Sequence, residues 1–167
     1  MDVSWGGLPR FIVVGLPDQA VKESKERVRA AIKNSGYRFP SRKIIVNLAP
    51  ADVKKEGPAF DLAIALGILA ASGVIPPDKL RSHLFLGELA LDGTLRKIKG
   101  AVVFASGLKE KKLPLILPEE NAPEASLEKE VLVYPATHLR EVVEFLLGKT
   151  PLQRFDPRPW VESGVSQ

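Results

Sequence analysis

The chain has 167 residues, of which 45% are hydrophobic and 26% charged, and its formal net charge at neutral pH is +4. This length and apolar fraction fit one domain with a single buried core and argue against two domains. The absence of cysteine excludes disulfides and thiolate metal sites, which predicts a cytoplasmic protein. The longest uncharged run, 62–77, is too short to span a bilayer, and no signal segment opens the chain, so no membrane association is expected.

The first half of the chain predicts two strands and two helices. A buried strand is expected at Arg10–Val14, an amphipathic helix at Asp18–Asn34 that ends at Gly36, and a second strand at 43–48. A Lys-Glu-Gly-Pro turn then leads into an almost wholly apolar helix at 58–72, which we interpret as a core helix.

The second half alternates strands and helices around a hairpin. Asp92-Gly93 is the strongest turn signal in the chain, and it predicts that strands at 84–90 and 94–98 pair antiparallel. Further elements are predicted in alternation: a helix at 100–111, a strand at 115–117, a helix at 119–127, a strand at 131–134 and a helix at 136–147. The predicted fold class is therefore α/β, in the α+β sense, with a mixed sheet and helices. Residues 1–149 form the predicted domain, and 150–167, with three prolines, form a predicted tail or linker.

A basic ridge on the first helix is the best candidate for a functional surface. Between positions 22 and 43 the net charge is +6, whereas the remainder of the chain is at −2. Four cations recur at steps of three and four residues, and two more extend the strip if the chain folds back after the helix: Lys22, Lys25, Arg29, Lys33, Arg42 and Lys43. Such a strip favours nucleic-acid phosphate or an acidic protein surface, with Tyr37 and Phe39 as possible stacking groups. The alternative is a solvated helix face with both aromatic side chains in the core. Independently of the ridge, Glu23 and Arg27 are spaced to pair one turn apart on the exposed side of the helix.

Other motifs have structural explanations. Gly148-Lys149-Thr150 resembles the end of a P-loop, but Val143 stands where the leading glycine is required, so a helix C-cap is predicted and ATP binding is not. His83 and His138 lie in different elements without cysteine partners, and no metal site is predicted. The carboxylates likewise have structural roles available: a strand position for Glu88, the hairpin turn for Asp92, and the positive end of a helix for Asp61.

Three segments carry a resemblance to a known family: GLPDQAVKESKERVRAAIKNSG, NLAPADVKKEGPAFDLAIALGILAASG and LFLGELALDGTLRKIKGA. They resemble the amino-terminal domain of the magnesium-chelatase subunit I-like, or competence protein ComM (YifB), family of AAA+ ATPases. The resemblance implies a ribosomal protein S5 domain 2-like fold, similar to the Lon proteolytic domain. Lon-type proteases present a serine after a similar Gly-Pro turn and use a lysine in a later helix. Here those positions match Ala59 and Val102, so a vestigial protease architecture is expected.

The same resemblance implies the wider role. Family members join this module to an AAA+ motor and are tied to DNA branch migration and recombination during natural transformation. Since no Walker motif is present, ATP and Mg²⁺ would belong to the motor, and no cofactor is expected in this chain. Members carry a further amino-terminal segment, so Met1 to Trp5 would keep only the end of a first strand, with an exposed edge that invites self-pairing.

The sequence thus predicts a noncatalytic accessory domain whose candidate partners are DNA, an AAA+ motor in cis or in trans, and further copies in a homo-hexamer. Two alternatives remain open. One is a divergent Lon-like peptidase, with a dyad shifted to Lys97 or Lys99 or with Ser72 or Ser106 as nucleophile. The other is a pure oligomerisation module.

Overall fold

A computed structural model describes residues 2–4, 10–14, 18–39, 43–47 and 57–156, with side chains at 23–39 and 58–156. Its described part is a mixed α/β fold with six α-helices, two three-stranded sheets and one antiparallel hairpin. The predicted α/β class is therefore confirmed. None of the described helices is long and apolar enough to cross a membrane.

The first sheet has β3 (Lys43–Asn47) at its centre. It pairs antiparallel with β1 (Asp2–Ser4) and parallel with β2 (Arg10–Val14). Parallel neighbours need a crossover connection, and α1 (Asp18–Asn34) supplies it between β2 and β3. The predicted strand at Arg10–Val14 and the predicted first helix are confirmed, and β3 ends one residue earlier than predicted.

The core helix follows the Gly-Pro turn. A 3₁₀ turn at Gly57–Phe60 runs directly into α2 (Asp61–Ala71), whose residues are almost all buried. A helix that is apolar on every side must be enclosed by other elements, and α2 packs against α1, the 3₁₀ turn and β3. The prediction of a core helix at 58–72 is confirmed, with a tighter first turn.

The predicted strand at 84–90 is wrong as a single element. It forms β4 (Leu84–Phe85) and β5 (Glu88–Leu89), which belong to different sheets. Gly87 separates them with φ +151°, its N–H donates to the Ala59 carbonyl at 2.8 Å, and its own carbonyl accepts from the Leu62 N–H at 3.0 Å. The backbone at Gly87 is thereby held against the start of the core helix, and β5 continues alone into the hairpin with β6 (Leu95–Arg96). The short helix α3 (Pro77–Arg81), which precedes β4, was not predicted.

The second sheet is parallel, in the order β4, β7 (Leu115–Pro118) and β8 (Val133–Ala136). Its helices are α4 (Ala101–Leu108), α5 (Ala122–Ala125) and α6 (Leu139–Leu146). β8 begins two residues later than predicted because a turn that bonds the Val131 N–H to the Glu128 carbonyl occupies the preceding positions.

The residues after α6 pack back onto the second sheet. Leu152 is 8% exposed, and the Phe155 N–H donates to the carbonyl of Val133 on β8 at 2.8 Å. Residues 157–167 lie outside the described part, so the assignment of 150–167 as a linker stays a prediction.

Candidate nucleic-acid interface

Three members of the predicted basic ridge lie within the described side chains. Lys33 is exposed near the end of α1, and Lys25 and Arg29 are half-buried. The side chains of Lys22, Arg42 and Lys43 lie outside the described part, although the backbone places Lys22 in α1 and Lys43 at the start of β3. Successive residues of a helix are about 100° apart, so Lys25, Arg29 and Lys33 fall on one flank of α1.

The opposite flank of α1 carries Arg27, and the structure directs it inward. Its Nε lies 2.6 Å from Oδ2 of Asp61 and its Nη2 lies 3.1 Å from Oδ1, so the guanidinium meets the carboxylate at two points. Nη2 also donates to the hydroxyl of Ser24 at 3.2 Å. The hydrogen bonds that the Arg27 guanidinium donates to Asp61 raise the pKa of Arg27 above its ordinary value. The expected exposed pair with Glu23 thus gives way to a buried ion pair.

Asp61 has more than the helix N-terminal role predicted for it. Its side chain is fully buried, and the carboxylate accepts a third hydrogen bond, at 3.1 Å through Oδ2, from the backbone N–H of Leu89 in β5. One carboxylate therefore joins α1, α2 and the hairpin. A sequence signal was available, because Asp61 is the charged residue that directly precedes the longest uncharged run of the chain.

The two aromatic residues beyond α1 pack against the core. Tyr37 and Phe39 are both half-buried against the apolar cluster, as the alternative interpretation of the ridge expected. Burial raises the pKa of the Tyr37 hydroxyl, and the nearby carboxylate of Glu144 adds to the effect. The ring of Phe39 still contacts the ridge, because Cζ of Arg29 lies 4.7 Å from the ring centroid.

The positions that match the Lon-type dyad hold no catalytic groups. Ala59 is 5% exposed within the 3₁₀ turn, and Val102 in α4 uses its backbone N–H to bind Oε2 of Glu124 at 3.1 Å. Lys97 and Lys99 are exposed, so neither has the buried surroundings that the lysine of a Ser/Lys dyad needs. This environment does not suit either of them to a shifted dyad.

The two candidate serine nucleophiles lie in unsuitable places. The hydroxyl of Ser72 donates to the Ile68 carbonyl at 2.8 Å, whereas Ser106 is exposed on α4. Within 58–156, neither hydroxyl bonds to a histidine or lysine that could accept its proton.

The two histidines serve local structure. His138 caps α6, where its Nδ1 accepts the Arg140 N–H at 3.0 Å, so Nε2 carries the proton and donates to the carbonyl of Asp92 at 2.9 Å. Nδ1 of His83 is hydrogen-bonded to the Ser82 hydroxyl at 2.9 Å, and burial lowers the pKa of His83. Among the side chains described, no three His, Asp or Glu residues lie close enough together to hold a metal ion.

The remaining motifs agree with their structural interpretations. Oδ1 of Asp92 accepts the Thr94 N–H at 2.9 Å across the hairpin turn, which lowers the pKa of Asp92. Glu88 lies opposite Arg96 in the hairpin. Gly148 has φ +78° directly after α6, and Val143 is buried inside that helix, so the predicted C-cap is confirmed in place of a P-loop.

The docking of the hairpin tip was not predicted. The Asn34 side chain at the end of α1 donates to the Leu91 carbonyl at 2.8 Å, and the Leu139 N–H donates to the Gly93 carbonyl at 2.8 Å. Nη2 of Arg140 completes the junction with a 2.7 Å bond to the Ser35 carbonyl. The tip therefore holds the end of α1 against the start of α6, and the Arg27–Asp61 pair fixes the same helix near its middle.

Comparison with known proteins places this architecture in a family. The chain is 46% identical over 148 residues to the uncharacterized protein YifB of Salmonella typhimurium, covering 89% of the chain and 29% of that relative. It is 45% identical over 146 residues to the competence protein ComM of Haemophilus influenzae, covering 87% of the chain and 29% of the relative. The YifB protein of Escherichia coli is 44% identical over 153 residues.

The chain spans about 29% of the length of the curated relatives that it matches. Residues 1–121 match the protein family described as subunit ChlI of Mg-chelatase. This match covers both predicted dyad positions and the whole of α1, and it agrees with the resemblance found in the sequence. The chain therefore belongs to the family of the Mg-chelatase subunit ChlI, as a homologue of ComM and YifB.

Proposed function

We propose that this region is a noncatalytic accessory domain of a ComM/YifB-like AAA+ ATPase and that it supports DNA engagement through the basic ridge. The process would be DNA branch migration or recombination during natural transformation, with the motor in cis or in trans supplying ATP and Mg²⁺ chemistry. The fold would be Lon-like, of the ribosomal protein S5 domain 2-like type. The ridge could act within a hexamer of such chains.

One observation carries the proposal: α1 divides its cations between its two flanks. Arg27 is neutralised inside the domain by Asp61, whereas Lys25, Arg29 and Lys33 lie together on the other flank, one turn apart. Steps of four residues place the three cations about 6 Å apart along the helix axis. Because nucleic acid carries closely spaced phosphate charges, a strip of this length meets several phosphates at once.

The absence of a nucleophile at the Gly-Pro turn supports a binding role over a catalytic one. Ala59 offers no hydroxyl, and its carbonyl is engaged by the Gly87 N–H. The turn therefore has a structural use that does not depend on chemistry, since it anchors the point where β4 and β5 separate.

Charge reversal on the ridge tests the proposal. We expect the variant Lys25→Glu, Arg29→Glu, Lys33→Glu to bind labelled branched and single-stranded DNA at least about tenfold more weakly at fixed salt, since several phosphate contacts are lost. The matched control is Lys97→Glu, Lys99→Glu, Lys111→Glu, which makes the same charge change at exposed lysines away from α1. Equal affinities of the wild type and the ridge variant, or equal losses in both variants, would refute the ridge assignment.

Assembly is a second candidate function, and exposed apolar side chains favour it. Val103 on α4 is 72% exposed, and Leu127, two residues after α5, is 70% exposed. The helices α4 and α5 pack together. We propose that these residues contact a neighbouring subunit, as a pure oligomerisation module would require. Light scattering on the wild type and on Val103→Asp, Leu127→Asp tests this: a ring that the variant loses, without any DNA affinity in the wild type, would favour assembly over DNA engagement.

A further inference from the structure

We infer that Arg29, laid on the ring of Phe39, is the phosphate-recognition residue of the ridge and holds a nucleic-acid backbone phosphate with its guanidinium. This inference rests on the proposed function and deepens it. It distinguishes one residue of the ridge from its lysine neighbours, which would contribute charge alone.

The first argument is that the Arg29 guanidinium is held in place. Its Cζ lies 4.7 Å from the ring centroid of Phe39, within the range of about 6 Å in which a cation is attracted to an aromatic face. Phe39 in turn packs against the apolar core. The chain between them is fixed by the turn at Gly36, where the Tyr37 N–H donates to the Ile32 carbonyl at 3.1 Å. Both partners of the stack therefore belong to rigid parts of the domain.

The second argument is that the same guanidinium has no internal acceptor. Arg27 is bound to the Asp61 carboxylate, and Arg140 is bound to the Ser35 carbonyl. Across the described ranges, by contrast, no hydrogen bond or carboxylate contact engages Arg29, whose guanidinium lies over the Phe39 ring. Arg29 is also only half-buried, so its N–H groups can meet a ligand from solvent.

The third argument concerns the chemistry of the ligand. A guanidinium is a planar fork that donates two parallel hydrogen bonds to a phosphate, whereas an ammonium acts as a point charge. Stacking on an aromatic ring leaves the N–H edge of the fork free for this contact. Because the side chain is already ordered in the domain, less conformational entropy is lost when the phosphate binds.

The inference is tested with charge-conserving variants of the whole chain. We expect Arg29→Lys to weaken binding to labelled single-stranded DNA at least about tenfold at unchanged net charge, since a charge-assisted bond of the fork is lost. Lys33→Arg is the matched control and should stay within about twofold, because the exposed Lys33 has no ring to orient it. Phe39→Leu should weaken binding in the same direction as Arg29→Lys, whereas Tyr37→Leu, which removes the neighbouring half-buried aromatic, should not.

The outcomes separate this inference from the proposed function. If ridge charge reversal abolishes binding but Arg29→Lys binds like the wild type, the ridge acts by charge alone and the inference is wrong. If ridge charge reversal itself leaves DNA binding unchanged, the proposed function of the ridge is refuted, and the inference about Arg29 is refuted with it. Competition with polyglutamate covers the remaining case: should polyglutamate displace DNA at equal charge concentration with the same sensitivity to Arg29→Lys, the site recognises carboxylates of an acidic protein and the phosphate assignment is overturned.

Discussion

Arg27 and Asp61 are joined by a two-point ion pair, 2.6 and 3.1 Å long, across 34 residues of sequence. The carboxylate is fully buried and the guanidinium side chain is 20% exposed. Because Asp61 also accepts the Leu89 N–H, loss of this side chain would leave both a cation and a backbone donor unpaired. The pair sets the rotation of α1 about its axis and thereby the direction in which the opposite flank faces.

Removal of the Asp61 side chain should therefore destabilise the fold. We expect Asp61→Ala to lower the free energy of unfolding by about 3–5 kcal/mol, the usual range when one partner of a buried ion pair is lost. Urea unfolding measures the change. Adding Arg27→Met should recover part of the loss, because the unpaired cation is removed as well. Glu110→Gln, at an exposed position, is the control and should change stability by less than about 0.5 kcal/mol.

A comparison of two glycines isolates the steric fit of the hairpin tip. Gly93 has φ +94°, and a Cβ there would lie 2.4 Å from Oγ of Ser35 and 2.7 Å from Cε1 of His138. Gly73 has a similar φ of +87° with nothing within 4 Å of its Cβ position. Gly73→Ala should lower the free energy of unfolding by about 1–2 kcal/mol, because of the backbone conformation alone. Gly93→Ala should lower it by more in the same thermal or urea unfolding assay. Equal losses in the two variants would show that the hairpin tip can shift to accommodate the added Cβ.

Ser35 offers the opposite kind of substitution. Its hydroxyl is buried and has no hydrogen-bond partner among the described residues. Since an unsatisfied buried hydroxyl carries a desolvation penalty of about 1–3 kcal/mol, Ser35→Ala should be neutral or stabilising. Ser24→Ala is the matched control, because its equally buried hydroxyl accepts from Arg27 and its removal should destabilise. A large loss of stability in Ser35→Ala would contradict the interpretation that the Ser35 hydroxyl is buried without a hydrogen-bond partner.

The pH dependence of stability should contain a contribution from His83. Burial against Phe85 and Phe145 lowers the pKa of His83 below the value of about 6.5 found in the unfolded chain. Above that value both states are neutral at this position. As the pH falls below it, the unfolded state binds the proton first, so stability falls until the folded pKa is passed. His83→Gln should flatten this part of the profile of unfolding free energy between pH 7.5 and 5; an unchanged profile would rule the contribution out.

Local patterns in the sequence predicted the elements that position the ridge. The spacing of apolar residues and Gly36 predicted α1, and the uniform apolar run predicted α2 as a core helix. Asp92-Gly93 predicted the hairpin because only a few residue pairs suit its turn. Family resemblance then identified Ala59 and Val102 as the positions of interest.

Contacts distant in sequence could not be predicted in the same way. Glu23 is at ideal helical spacing from Arg27, yet the buried carboxylate of Asp61 competes for the same guanidinium from another helix. The strand predicted at 84–90 has suitable residues throughout, and its division at Gly87 depends on hydrogen bonds to the Gly-Pro turn. In both cases tertiary partners override a local pattern.

The packing of the segment after α6 changes the point at which the domain is joined to the residues beyond Asp156. With Leu152 buried and Phe155 bonded to Val133, the point of attachment shifts from Gly148 to Asp156. Eight residues are thereby withdrawn from any tether, which shortens its reach by about 26–29 Å.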